Sequence, residues 1–187
     1  MRLRAAMAGS AGLAEQLRDG RLDVAFLSPP APPPADLTTR LLATVPMVLY
    51  VADSHPLAGA GRVPLARLAE FPFIDSPPGF GNRTVVDRAF AAAGVEREVS
   101  VEVADVGTAV NFIRAGLGIG FLGHFLVQDR TGLDTVRVAD HELRWRLHVA
   151  TASTRRPSAA TEAFLDLLGE RHPSPVRGAS AQGPPSV

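Results

Sequence analysis

The sequence predicts an α/β fold, because short apolar runs of strand type alternate with helical patterns along most of the chain. Glycines follow the helical patterns at Gly20, Gly94 and Gly116, where they are expected to end the helices. Of the 187 residues, 46% are apolar and 20% are charged, a balance typical of a globular protein with a packed core.

The first predicted unit is a helix followed by a buried strand. Ser10 is the expected N-cap of the helix, which ends at Gly20. Residues 22–27 are almost continuously apolar, as expected of a strand covered on both faces, and Ser28-Pro29-Pro30 stops this run. After a proline-rich loop, residues 45–51 are predicted to form a second strand.

A similar unit is predicted to begin after Pro64. It has a short helix, a strand over residues 71–75, a loop rich in Gly and Pro, and a helix that Gly94 ends. Residues 99–103 then alternate between apolar and polar side chains, which predicts another strand.

The third unit completes the alternation. Asp105 opens a helix, Gly116 closes it, and residues 117–122 form a strand. Strands that alternate with helices of this length favour a mostly parallel sheet with right-handed crossovers.

The last predicted elements are a half-exposed strand and a helix. Residues 143–149 alternate between apolar and charged or His side chains, and Ser158 is the expected N-cap of the final helix. Residues 172–187 are rich in Pro, Gly, Ser and Ala, and they offer too little apolar surface to offset the entropy of ordering them. We therefore expect a disordered tail.

Composition excludes several functions. The absence of cysteine excludes disulfides, thiolate metal sites and a cysteine nucleophile. A net charge of zero, with scattered arginines, argues against direct DNA binding by this chain. No signal peptide or membrane-spanning run is apparent, so we expect a cytoplasmic protein.

Four stretches over roughly residues 3 to 171 carry a resemblance to a known family. They are residues 17–25 with Gly20-Arg21-Leu22-Asp23, the tetrapeptide His55-Pro56-Leu57-Ala58, residues 107–120 ending in Gly116-Leu117-Gly118-Ile119-Gly120, and residues 160–168 with Ala163-Phe164-Leu165. In this order they resemble the effector-binding (substrate-binding) domain of LysR-type transcriptional regulators.

The resemblance implies two Rossmann-like lobes joined by a hinge of two crossover strands, as in type II periplasmic binding proteins. Lobe I is expected to comprise residues 1–52 and 152–171, and residues 53–151 are expected to form the hinge strands and lobe II. A small, polar or anionic effector is expected in the cleft between the lobes.

Relatives of this kind also carry an N-terminal winged helix-turn-helix and a linker helix, which this sequence lacks. Residues 1–3 align with the second strand of the effector-binding domain, so we expect lobe I to lack its first strand and first helix. Any effect on transcription is then expected to be indirect, through a homo-oligomer or through pairing with a full-length relative.

The loop after the strand at residues 71–75 is the first candidate for effector binding. Ligands of open α/β sheets bind at the carboxyl ends of strands, and glycines let the backbone approach them. The candidates are Gly79, Phe80, Gly81, Asn82 and Arg83, with Arg83 as a bidentate partner of an anion. A capped surface turn with an exposed arginine explains the same residues.

Further candidates lie at other strand ends. Val106, Gly107 and Thr108 open a helix whose N–H groups point outward, although a simple N-cap explains Asp105. The resemblance also implies that Ser28 and Pro29 face the same cleft. His124 follows the glycine-rich strand and is either an effector ligand or a structural histidine.

Enzyme functions find little support. The five histidines form no metal-binding pair, and the sequence contains no nucleophile elbow and no Walker loop. Its Gly-x-Gly-x-Gly run leaves a helix and enters a strand, the reverse of a dinucleotide loop, so no cofactor is expected. The alternatives to an effector-sensing domain are a stand-alone solute-binding module and a prephenate-dehydratase-like enzyme on the same two-lobed fold.

Overall fold

The structure is a computed structural model that describes residues 3–171. The tail predicted at residues 172–187 lies outside the described residues, and its disorder stays a prediction. The helices are α1 (Ser10–Arg18), α2 (Leu65–Leu68), α3 (Gly81–Ala92), α4 (Val106–Arg114) and α5 (Ala159–Arg171), with one 3₁₀ turn at His124–Leu126. None of the helices described is long and apolar enough to cross a membrane.

The strands form one large sheet and one small sheet. They are β1 (Ala25–Leu27), β2 (Leu37–Ala52), β3 (Arg62–Val63), β4 (Phe73–Asp75), β5 (Val99–Glu102), β6 (Gly120–Gly123), β7 (Leu133–Val138) and β8 (Arg144–Ala152). The large sheet has the order β1-β8-β2-β7-β3, with β6 also paired to β2, and the small sheet consists of β4 and β5.

The prediction of a mostly parallel sheet is wrong for the large sheet. Strand β2 pairs antiparallel with β6, β7 and β8, and β1 pairs antiparallel with β8; only β3 and β7 are parallel there. The small sheet is parallel, and Phe73 forms a parallel bridge to Ile119. No helix intervenes between β7 and β8, so the crossover argument, which requires a helix between strands, fails at that point.

Strand β2 changes its partners along its length. Residues from Leu37 to Pro46 pair with β8, whereas residues from Met47 onward pair with β6 and β7. Pro46, which lacks an N–H donor, lies at this change of partners, where one ladder ends and the others begin. The antiparallel pair of β2 and β8 therefore runs through the molecule and joins its two ends.

Separate apolar cores lie at the two ends of this strand pair. The minor core consists of Ala14, Leu17, Ala25, Leu27, Leu37 and Ala150. The major core surrounds the end of β2 and includes Leu49, Phe73, Phe90 and Phe121, and a further cluster beside it packs α4 against Tyr50 and Ile74. We call the elements around these cores the minor region (α1, β1 and α5) and the major region (α2 to β7).

Local signals located most elements, but several boundaries differ from the predictions: the strand predicted at residues 117–122, for example, is β6 (Gly120–Gly123). Helix α1 has Gly9, not Ser10, at its N-cap position. Strand β1 starts at Ala25 because the N–H groups of Arg21 and Leu22 bond back to the carbonyl of Gln16. Strand β2 extends well before residue 45, because its first half pairs with β8, a long-range partner that no local pattern reveals.

Candidate functional site

A cavity of about 850 Å³ lies between the minor and major regions. The minor region contributes residues 3–8, Ser10, Leu13, residues 21–28, Ser158, Ala160, Thr161 and Phe164. The major region contributes residues 74–76, 80–82, 103–106, Ala109, residues 121–123, Phe125 and Leu126, and strand β8 adds Trp145 and Leu147.

Most of the cavity wall is apolar. Aromatic rings come from both regions and from β8, namely Phe26, Phe80, Phe121, Phe125, Trp145 and Phe164. The charged lining residues are Arg4, Arg21, Asp23, Asp75 and Asp105. Among residues 3–171, no group of three or more His, Asp or Glu side chains is arranged to hold a metal ion.

The structure brings five of the predicted site residues into the cavity wall. They are Ser28, Phe80, Gly81, Asn82 and Val106. The remaining six, Pro29, Gly79, Arg83, Gly107, Thr108 and His124, lie outside this lining. The effector-binding role of all eleven stays a prediction, but several of them have protein partners.

Ser76 lines the cavity at the start of the candidate loop, although it was not among the predicted ligand residues. The Asp75 carboxylate accepts its N–H at 2.7 Å, Arg83 donates to its carbonyl at 3.0 Å, and the Asn82 amide donates to its hydroxyl oxygen at 2.8 Å. Because that oxygen already accepts a hydrogen bond, the hydroxyl proton is free to point at a ligand acceptor. A serine directly after an apolar strand was the signal available in the sequence.

Arg83 has carboxylate partners in place of the expected ligand. Its guanidinium lies 2.9 Å from Asp87, 3.1 Å from Glu102 and 3.7 Å from Asp75, and its side chain is only 13% exposed. The Asp87 contact is an i,i+4 pair on α3, a spacing that the sequence displays. In this structure Arg83 supports the loop that carries Ser76.

Arg97 forms the second support of this loop, and no sequence signal indicated it. Its Nη2 donates to Asp75 and to Asp87, each at 2.7 Å, and its guanidinium carbon lies 4.8 Å from the Phe73 ring centre. The side chains of Arg97 and Asp75 are 4% and 3% exposed. Burial raises the pKa of Asp75 above its ordinary value, and the charge of Arg97 opposes that rise.

Thr108 belongs to the N-cap of α4. Its N–H and its hydroxyl both donate to the Asp105 carboxylate, at 2.7 and 2.8 Å. These two bonds lower the pKa of Asp105 from its ordinary value of 3.8, and the bond from the N–H has the larger effect. The N-cap interpretation of Asp105 is therefore confirmed, and the Thr108 hydroxyl donates its proton to this cap.

Ser28 is also fully engaged with protein groups. Its hydroxyl donates to the carbonyl of Arg146 at 2.8 Å and accepts the Trp145 indole N–H at 2.6 Å. Its side chain occupies the space that a Cβ at Gly81 would need. His124, by contrast, is exposed, and its ring lies 3.0 Å from a guanidinium nitrogen of Arg130.

Comparisons with known proteins agree with this architecture. A family model described as "LysR substrate binding domain" matches residues 1–173. The chain is 28% identical over 152 residues to the uncharacterized HTH-type transcriptional regulator YybE of Bacillus subtilis, covering 81% of this chain and 52% of that protein.

Two solved structures share the fold. The effector binding domain of QuiR in complex with shikimate superposes with a TM-score of 0.77 at 19% identity, covering 88% of this chain and 78% of that one. The regulatory domain of Synechocystis CcmR in complex with 2-PG gives a TM-score of 0.76 at 24% identity, covering 88% and 80%.

Proposed function

The chain belongs to the LysR substrate-binding domain family, and from this membership we propose that its cavity binds the small-molecule effector of a transcriptional regulator. The predicted fold is confirmed: it is the two-lobed, type II periplasmic-binding-protein-like architecture of such domains. The proposed role is binding rather than catalysis.

One observation carries the proposal. The cavity is lined by both regions, so a ligand that spans it contacts both regions at once and stabilises one arrangement of them relative to others. We assign lobe I to residues 1–52 and 152–171 and lobe II to residues 53–151. The two separate cores support this division except along β2 and β8, where Leu49 packs in the major core and Ala150 packs in the minor core.

The ligand chemistry we propose is a small organic molecule with acceptor oxygens. The free hydroxyl proton of Ser76 supports an acceptor, and Arg4 supports an anion, whereas the other lining arginine, Arg21, is paired with Asp19 at 2.8 Å. The neighbours' shikimate and 2-PG make both compounds reasonable first probes. The aromatic rings in the wall favour a ligand that also has an apolar part.

The regulatory context is part of the proposal. The chain spans about half the length of the curated relatives it matches. We propose that effector binding in the cytoplasm acts on transcription through oligomeric partners, either copies of the same protein or related regulators.

The only tryptophan of the sequence gives a direct test. Trp145 lines the cavity, so its fluorescence reports ligand binding there without any added label. We expect shikimate, 2-PG or another small metabolite from a screen to change this fluorescence saturably. The Ser76→Ala substitution is expected to weaken that ligand about tenfold, in line with one lost hydrogen bond.

The matched control is Ser153→Ala, because Ser153 is a serine outside the cavity wall that bonds the carbonyl of Ala35. It should leave the affinity unchanged. A ligand that binds Ser76→Ala and wild type equally, or a broad metabolite screen without any saturable response, would contradict the proposal.

A further inference from the structure

The loop Gly79-Phe80-Gly81 touches the minor region at two points. On one side, the backbone N–H of Ser10 donates to the carbonyl of Gly79 at 2.8 Å. On the other side, Gly81 lies directly against the Ser28 side chain and the Trp145 indole. Loop 79–81 belongs to the major region, whereas Ser10 and Ser28 belong to the minor region, so both contacts join the two regions at the cavity wall.

A continuous hydrogen-bonded chain connects the two contact points. The Ser10 hydroxyl accepts the N–H of Ser28 at 3.2 Å, which ties the start of α1 to the end of β1. The Ser28 hydroxyl in turn accepts the Trp145 indole N–H at 2.6 Å, which adds strand β8. The contacts with loop 79–81 are therefore parts of one interlinked cluster.

Both contacts depend on the absence of a side chain. A Cβ on Gly9 would lie 2.9 Å from the carbonyl carbon and oxygen of Gly79. A Cβ on Gly81 would lie 2.3 Å from the Ser28 hydroxyl oxygen and 2.8 Å from the indole nitrogen of Trp145. The backbone at neither glycine has a positive φ, so close approach, rather than backbone conformation, is what requires glycine there.

From these observations we propose that loop 79–81 is a clasp that holds the minor and major regions together across the cavity before any ligand arrives. Ser10, Ser28 and Trp145 form its fixed side, and Gly9 and Gly81 give it the space to close. The clasp does not rest on the proposed function, because it joins the two regions whether or not a ligand binds.

The closed state can be measured without a ligand. Because the sequence contains no cysteine, spin labels attach only at introduced sites. Leu117→Cys in the major region and Leu167→Cys on α5 place both labels at exposed positions, 52% and 48% exposed. Pulsed electron spin resonance then gives the distribution of distances between the two regions, and circular dichroism verifies that each variant is folded.

We expect one narrow distance distribution for the otherwise unmodified chain. Gly81→Ala and Gly9→Ala should each broaden it and shift it to longer distances, because the added Cβ forces loop 79–81 away from the minor region. Gly12→Ala is the control, because the atom nearest to the added Cβ would be the Cβ of Ala8 at 3.6 Å, an ordinary van der Waals distance. It should leave the distribution unchanged.

A rescue variant separates loss of the clasp from damage to the fold. Adding Ser28→Gly to Gly81→Ala removes the two atoms that the new Cβ meets most closely, so the distance should return toward the original value. The indole should nevertheless be more accessible to acrylamide quenching, because its acceptor is gone. Ser28→Ala alone, which adds no bulk, should likewise raise the quenching of Trp145.

Unchanged distance distributions in both Gly9→Ala and Gly81→Ala would overturn the clasp. So would a variant that combines Gly81→Ala with Ser28→Gly and keeps a distribution as broad as that of Gly81→Ala alone. Neither outcome bears on whether a ligand binds in the cavity, which the Trp145 titration decides separately.

Discussion

The two ends of the β2–β8 strand pair differ in how they are stabilised. The major core contains large aromatic side chains, including the fully buried Phe73, and a charge cluster is packed against it. The minor core contains only Ala and Leu side chains, gathered around a three-residue strand and one helix. The major region should therefore fold independently, while the minor region depends on being held against it.

This difference matters for the site because the cavity wall takes residues from both regions. We expect the major region to hold Ser76 and loop 79–81 in fixed positions. We expect the minor region to shift when a ligand binds, since regions that move are drawn from the less stable parts of a protein.

The largest effect is expected from Phe73→Ala. The Phe73 ring stacks on Phe121 with centroids 6.2 Å apart, meets Phe90 edge-on at 5.5 Å, and lies under Arg97. Its loss should lower the free energy of unfolding by about 4 to 5 kcal/mol and unfold both regions together. Urea denaturation followed by circular dichroism measures the free energy of unfolding, and Phe125→Ala, at an exposed position, is the control. A loss of stability smaller than that caused by Leu27→Ala would contradict the prediction.

A slightly smaller effect is expected from Arg97→Met. It leaves the buried Asp75 carboxylate with Arg83 as its remaining cationic partner, so we expect a loss of about 3 kcal/mol. The double variant with Asp75→Asn should recover part of the loss, because no buried charge is then left. Chemical denaturation of the two single variants and the double variant checks this, and a strictly additive double variant would show that the two groups do not interact.

Leu27→Ala should act on the minor region alone. Leu27 is 3% exposed in the minor core, and its truncation should cost about 2 to 3 kcal/mol locally. Hydrogen exchange should speed up in α1 and β1 while β4 and α3 stay protected. Phe26→Ala, on the opposite and half-exposed face of β1, is the control. Equal acceleration in both regions would mean that they unfold as one unit.

The smallest effect is expected at the α4 cap. The lowered pKa of Asp105 means that its stabilising contribution is present above the ordinary value of 3.8 and is lost as the pH falls through the lower folded value. Asp105→Asn should therefore narrow the difference in unfolding free energy between about pH 7 and about pH 3. Asp53→Asn, at an exposed position, serves as the comparison. If it narrowed the difference in unfolding free energy equally, the pH dependence would not come from the Asp105 cap.

Local signals explain which parts of the fold the sequence predicted. Asp105, Gly94 and Gly116 mark helix ends through short-range bonds and backbone conformation, and these marks agree with α3 and α4. The first half of β2 was missed because its pairing with β8 joins residues about a hundred positions apart. The predicted parallel direction of the strands in the large sheet was wrong for the same reason: it depends on which distant strands pair.

The site was predictable to the extent that it follows strand ends. Ser28 directly follows the apolar run of residues 22–27, Asn82 lies in the predicted loop between a strand and a helix, and both line the cavity. Trp145 and Arg97 were missed as site residues because their partners Ser28 and Asp75 are distant in sequence. Arg83 looked free in the sequence because only the fold brings Glu102 and Asp75 to it.

Hydrogen exchange with and without a ligand tests the central claim most directly. The compound used is one that changes the Trp145 fluorescence saturably, measured on the whole chain. If the cavity between the two regions is the effector site, protection should increase together in residues 21–28 of the minor region and residues 74–82 of the major region. If saturating ligand protected only one region from exchange, or neither of these segments, the cavity would not be the effector site.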